Sequence, residues 1–197
     1  GNWTAKEDLK YGDLLGSGNL FLAQANGVQT VSFDPTGSGR ADHIAWIGLC
    51  KKDGANRVYV WAYDARNHRM SNPVELGTMN WVTEDTQAYQ LQNFLSITAG
   101  DFDKTGKDRI VVYAAMDGET MALVELSAVS AEGSVTLSEV TRGTSLLNAT
   151  YMQEGDAYEA LRNKSSSDGK YRLGCDLDAG DVNGDGIDDL AVISYTE

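Results

Sequence analysis

The chain has 197 residues, enough for one ordinary domain with a sizeable core. Its formal net charge is −13, from 29 acidic and 16 basic residues, and so acidic a chain lacks the basic face that nucleic-acid binding needs. No run approaches 18 apolar residues, so no helix is expected to insert in a membrane; 21 glycines, 2 prolines and many short β-rich runs predict an all-β protein.

In chain order, residues 1–17 are polar and glycine-spaced and read as an arm. Residues 20–25 and 28–33 flank Asn26-Gly27, a pair that tolerates the positive φ of a tight hairpin turn, so a first hairpin is expected there. Residues 1–27 are thus an arm plus the first hairpin strand. A polar loop, 34–42, leads into a strand at 43–49. A turn at 51–56 follows, then a cleanly alternating strand at 57–63 and a weak outer strand near 74–76. Residues 28–77 form one unit. Residues 78–93 are a linker, either a long loop or one short helix.

The second unit spans 94–140, with strands at 94–99, 110–116, 120–126 and 134–140 and a loop at 101–109. Residues 141–172 read as an insertion. Within it Asp156-Ala-Tyr-Glu-Ala-Leu-Arg162 has an N-cap and good helix formers, which predicts a short helix. An incomplete third unit, 173–197, has strands at 173–179 and 190–195 around a loop at 181–189. Cys50 and Cys175 are too few for a disulfide scaffold and read as free or buried thiols.

The three loops are copies of one another at intervals of 67 and 80 residues, and self-similarity of this kind marks a repeat architecture. The clearest is Asp181-Val-Asn183-Gly-Asp185-Gly186-Ile187-Asp188-Asp189, with oxygen-bearing side chains at places one, three, five and nine. Its glycine at place six lets the backbone turn sharply. Such a ring of oxygens, completed by the Ile187 carbonyl, suits calcium, which takes six to eight oxygen ligands. An EF-hand opens with the same residues but needs a glutamate at place twelve and two flanking helices; here that place is Val192, in a strand-like run.

The loop between two strands resembles the calcium loop of the FG-GAP/VCBS repeats, the blades of integrin-α-like β-propellers. The resemblance covers about 28–195, and most clearly 94–126 and 173–195. Four antiparallel strands per unit make a propeller blade. The expected fold is therefore a partial β-propeller of about two and a half four-stranded blades with one short helical insertion. The resemblance further implies an extracellular or cell-surface module, with structural calcium and with loops that bind protein or carbohydrate. Its missing partner would be the rest of the propeller or a second chain.

The other two loops are poorer ligand sets. Loop 34–42 offers Asp34, Thr36, Ser38, the Arg40 carbonyl and Asp42, with two hydroxyls in place of charged groups. Loop 101–109 offers Asp101, Asp103 and Thr105, but Arg109 stands at place nine, where its guanidinium could replace a metal by pairing with Asp101 and Asp103. The plain alternative for all three is an Asx-rich turn held by its own hydrogen bonds. Three carboxylates crowded into loop 181–189 weigh against that alternative there.

No nucleophile–base pattern is present, and His43 and His68 read as a structural residue and a solvated loop tip. Catalysis is left open: part of a calcium-dependent propeller enzyme acting on polysaccharide, or a scaffold without a ligand, are the alternatives to a binding module. Trp81 and Tyr89 in the linker are the aromatic candidates for ligand contact, because aromatics on alternating strands more often pack between sheets.

Overall fold

The computed structural model describes residues 21–22, 29–82, 94–117, 122–131, 134–143 and 173–196. These residues form an all-β structure of three antiparallel sheets, none of which closes on itself. The helix expected at 156–162, most of the linker and Tyr89 lie outside the described residues.

In the first sheet, β3 (His43–Lys52) and β4 (Ala55–Asp64) form a ten-residue hairpin. Asp53 and Gly54 close it at φ 52° and 80°, the paired left-handed conformation that suits a two-residue turn to the twist of its strands. The free edge of β3 carries β1 (Phe21–Leu22) and β2 (Gln29–Phe33); that of β4 carries β5 (Arg69–Met70) and β6 (Val74–Thr78). β1 and β2 are both antiparallel to β3, so they run in the same direction. Phe21–Leu22 and Gln29–Phe33 each pair with β3, and the turn expected at Asn26-Gly27 lies outside the described residues.

The second sheet is a four-stranded meander of β7 (Leu95–Gly100), β8 (Arg109–Ala114), β9 (Ala122–Ala131) and β10 (Ser134–Arg142). The third pairs β11 (Leu173–Gly180) with β12 (Asp189–Thr196). β2 lies beside β7, and β7 beside β11, so the first strands of the three sheets stand in a row.

Burial follows from this order. β8 is buried on both faces from Ile110 to Ala114, because its sheet is the middle layer. Ala45, Ile47, Val58 and Val60 fill the space from the first sheet, and Cys175 and Leu177 from the third. The opposite face of the first sheet has its own cluster, in which Trp46 and Trp61 stack with centroids 6.0 Å apart over Tyr59 and Cys50. Both cysteines are free and buried, and burial raises each thiol pKa to about 12.

Candidate functional site

The row of first strands brings the three loops to the same end of neighbouring sheets. All three share a backbone path. Place four is left-handed in each (Gly37 φ 73°, Lys104 φ 58°, Gly184 φ 80°), and so is place six (Gly39 φ 73°, Gly106 φ 75°, Gly186 φ 82°). Glycine fills five of these six positions because a left-handed residue strains any side chain with a Cβ. Lys104 accepts that strain, and its ammonium donates to the carbonyl of Asp185 in the next loop.

Neighbouring loops are joined by a repeated two-bond staple. Asp108 of loop 101–109 accepts the Asp34 N–H on its carboxylate at 2.6 Å and donates its own N–H to the Asp34 carbonyl at 2.9 Å. Asp188 of loop 181–189 does the same to Asp101, at 2.7 and 3.0 Å. Both aspartates stand immediately before a second strand, so their side chains point back toward the preceding sheet while the strand's first residue points forward. Neither Asp108 nor Asp188 stands at place one, three, five or nine of its loop, so the ligand pattern gives them no role. The signal was a shared aspartate at place eight of two loops.

Within loop 181–189 the carboxylates and the amide organise the main chain. Asp181 accepts the N–H groups of Gly184 at 2.7 Å, Asp185 at 3.1 Å and Gly186 at 2.9 Å, and the Gly186 bond is the leading cause of its lowered pKa. Asn183 accepts from Asp185, Asp185 from Ile187, and Asp189 from Val182. Among the described residues, no three His, Cys, Asp or Glu side chains gather at one point. Each ionised carboxylate still offers about four acceptor sites. One oxygen of Asp185 and one of Asp189 receive no hydrogen bond from a described residue, and neither does the Ile187 carbonyl. This oxygen-only donor set with spare lone pairs fits a hard divalent cation.

Loop 34–42 differs. The buried Asp34 carboxylate accepts from Thr36 N–H and hydroxyl, Gly37 N–H, Gly39 N–H and Arg40 N–H, with the Ser38 hydroxyl at 3.3–3.4 Å. Burial alone would raise its pKa, but the Thr36, Arg40 and Gly39 hydrogen bonds outweigh it and hold it at about 2. These donors occupy the lone pairs a metal would use. The loop is also one residue longer. Nine residues, 34–42, separate the paired Phe33 and His43, against eight, 101–108 and 181–188, in the other two. Asp42, expected as the place-nine ligand, therefore stands where Asp108 and Asp188 stand, directly before its strand. It is turned to His43 Nδ1 at 2.8 Å and Arg66 at 2.5 Å, and the Arg40 carbonyl takes the Asp42 N–H.

In loop 101–109 the internal cation is present with one partner changed. Arg109 pairs with Asp103 and, at 2.6 Å, with Glu125 on β9. Asp101 is instead held by the N–H groups of Thr105 and Gly106, and Thr105 donates its hydroxyl to Asp103 at 2.7 Å. Glu125 was not legible as a partner, since only cross-strand pairing brings it over the loop. Between this loop, loop 34–42 and β9 lies an open groove of about 580 Å³, edged by Thr36, Lys107, Arg109 and Ser130. Trp81 is half-buried, with its indole N–H donating to the Ala115 carbonyl at 2.8 Å and its ring edge-on to Phe94.

Compared with protein-family models, with curated proteins and with solved structures, the chain matches none.

Proposed function

We propose that this chain is part of an FG-GAP/VCBS-like β-propeller, about two and a half blades of it, in which loop 181–189 holds calcium. The propeller serves as an extracellular or cell-surface module that binds protein or carbohydrate through its loops. One observation carries this reading: the same loop path occurs three times at the same end of neighbouring sheets, with an aspartate staple joining each loop to the next. Sheets that bury their faces only against neighbours, in fixed register, are how repeat proteins are built.

Calcium is assigned to loop 181–189 alone. There Asp181, Asn183, Asp185, Asp189 and the Ile187 carbonyl would hold it, and the ion would relieve the repulsion among three carboxylates close in sequence, Asp181 and Asp185 exposed and Asp189 half-buried. In loop 101–109 the Arg109 guanidinium takes that role, and in loop 34–42 main-chain and hydroxyl donors do. The groove beside loops 34–42 and 101–109 is the place where a ligand with hydroxyl and anionic groups would find donors.

Titration calorimetry and thermal melts with calcium test the reading. With a dissociation constant near 10⁻⁴ M, calcium at one to two millimolar stabilises the fold by roughly 1.4–1.8 kcal/mol. That corresponds to a rise of about 3–7 °C in a chain of this size. Asp185→Ala should abolish the rise. No heat and no rise in the wild type, or an equal rise in the variant, removes calcium from loop 181–189.

A further inference from the structure

The third sheet presents outward the same face that the second sheet uses to hold the third. We infer that this face docks a further repeat whose loop carries a free aspartate directly before its second strand. The inference deepens the repeat reading above and rests on it.

The second and third sheets have the same loop register, Gly100 opposite Arg109 and Gly180 opposite Asp189, so their residues correspond one to one. In the second sheet, the face toward the third is Ser96, Thr98, Val111 and Tyr113, and all four are buried. There the Ser96 hydroxyl accepts the Leu177 N–H at 3.0 Å, and a Cβ on Gly100 would meet Asp188 at 2.8–2.9 Å. In the third sheet, the matching Asp178, Ala191 and Ile193 are exposed, Ile193 by 67 %, while Asp176, also exposed, turns its carboxylate back to accept the Ser96 hydroxyl at 3.2 Å. Val182 at place two of the loop is 84 % exposed, while its counterpart Phe102 packs against the core. Nothing lies within 4 Å of a Cβ placed on Gly180 or on Gly184, and no described carboxylate holds the Asp181 main chain. Two apolar side chains, a glycine left clear for a carboxylate, and an unstapled loop thus match the contact between the second and third sheets, whose aspartate staple also joins the first sheet to the second.

Among the described residues, a second copy of this chain does not supply the missing group. Its Asp108 and Asp188 are already engaged with Asp34 and Asp101. Its Asp42 is tied to His43 and Arg66, with its N–H on the Arg40 carbonyl. The occupant is therefore a different repeat with its aspartate unengaged.

The test extends the full chain with a duplicate of its own residues 94–142, which supplies one such loop, and works in chelator so that calcium plays no part. The expected result is one cooperative melt above that of the parent, with hydrogen exchange at the Asp181 N–H slowed about a hundredfold or more. Replacing the duplicated Asp108 with Ala should restore parental exchange at Asp181. So should Gly180→Val, whose Cβ finds nothing within 4 Å in the parent. An extension that melts separately with Asp181 exchange unchanged overturns the inference, as does slowed exchange that neither substitution reverses. A parent chain that self-associates in sedimentation at the same concentration overturns the exclusion of a second copy. Because chelator is present in every arm, these outcomes bear on the docking alone, and the calcium titrations above bear on the metal alone.

Discussion

Asp188 closes a two-bond ring on Asp101, 87 positions earlier, accepting its N–H at 2.7 Å and donating to its carbonyl at 3.0 Å. The same carboxylate occupies the space that a Cβ on Gly100 would take. One side chain therefore sets both the spacing and the register of two sheets that share no strand hydrogen bonds.

The first prediction is that this ring is a main tie between the sheets. A hydrogen bond to a charged group contributes about 1.5–3 kcal/mol. Asp188→Ala should lower the melting temperature by about 3–12 °C. Asp188→Asn keeps an acceptor oxygen and should lose less. Asp108→Ala should behave like Asp188→Ala, with a smaller loss because burial already raises the Asp108 pKa and penalises its charge. Melting temperatures of these variants equal to the wild type would mean that apolar packing alone holds the sheets in place.

The second prediction separates two glycines at the same place in two loops. Gly100→Ala would bring its methyl within 2.8–2.9 Å of Asp188 and must displace it. Overpacking of that kind costs about 1–3 kcal/mol. Gly180→Ala meets nothing within 4 Å and has no positive φ to lose. Replacing a strand glycine there should be neutral or stabilising by roughly 0.5–1 kcal/mol. Denaturant midpoints for the two variants should move in opposite directions or, at the least, differ by the cost of the clash. Equal losses would remove the carboxylate as the reason for Gly100.

The third prediction concerns acid. Burial would raise the pKa of Asp64, but hydrogen bonds from Asn67 and Ser130, with the nearby His43, bring it down to about 2, as the loop donors do for Asp34. A carboxyl lowered in the folded state contributes stability that is present above its ordinary value and is lost as pH falls toward its folded value. The window here runs from about pH 4 to about pH 2. After allowance for solvent screening, each group contributes about 1–2 kcal/mol. Asp108 has the opposite sign, since its raised pKa makes ionisation a cost to the fold. Unfolding free energies measured from pH 6 to pH 2 should fall steeply, and Asp34→Asn should flatten the lower part of the curve. An unchanged slope in that variant would place the acid sensitivity elsewhere.

The strands were legible because their apolar residues alternate or run unbroken between loops that repeat. Thus 43–49 and 57–63 are recovered inside β3 and β4, and 134–140 inside β10. The pairing of both Phe21–Leu22 and Gln29–Phe33 with β3 was not legible, because Asn26-Gly27 is a local signal and the edge of β3 is a distant one. The ligand register of loop 34–42 failed for a related reason. Its extra residue does not disturb the sequence pattern, but it moves Asp42 from the loop to the step before the strand. Long-range partners were the least legible: Glu125 reaches Arg109 only through the pairing of β8 with β9, and Ser130 reaches Asp64 only where two sheets meet.

The fourth prediction follows from Arg109, whose guanidinium joins Asp103 of the loop to the buried Glu125 of β9. Arg109→Asp removes the only positive partner shown for either carboxylate and adds a third negative charge beside them. Breaking a partly buried pair in this way costs about 2–4 kcal/mol, most of it from leaving Glu125 desolvated and unpaired. If loop 101–109 is a calcium loop whose metal has been replaced by arginine, the same change restores an acid at place nine. The variant should then be markedly less stable in chelator and recover part of the loss in millimolar calcium, with one more calcium bound per chain by calorimetry. Loss of stability without an added site would leave Arg109 as a clamp between loop and strand and nothing more. An added site already present in the wild type would show that the guanidinium never replaced the ion.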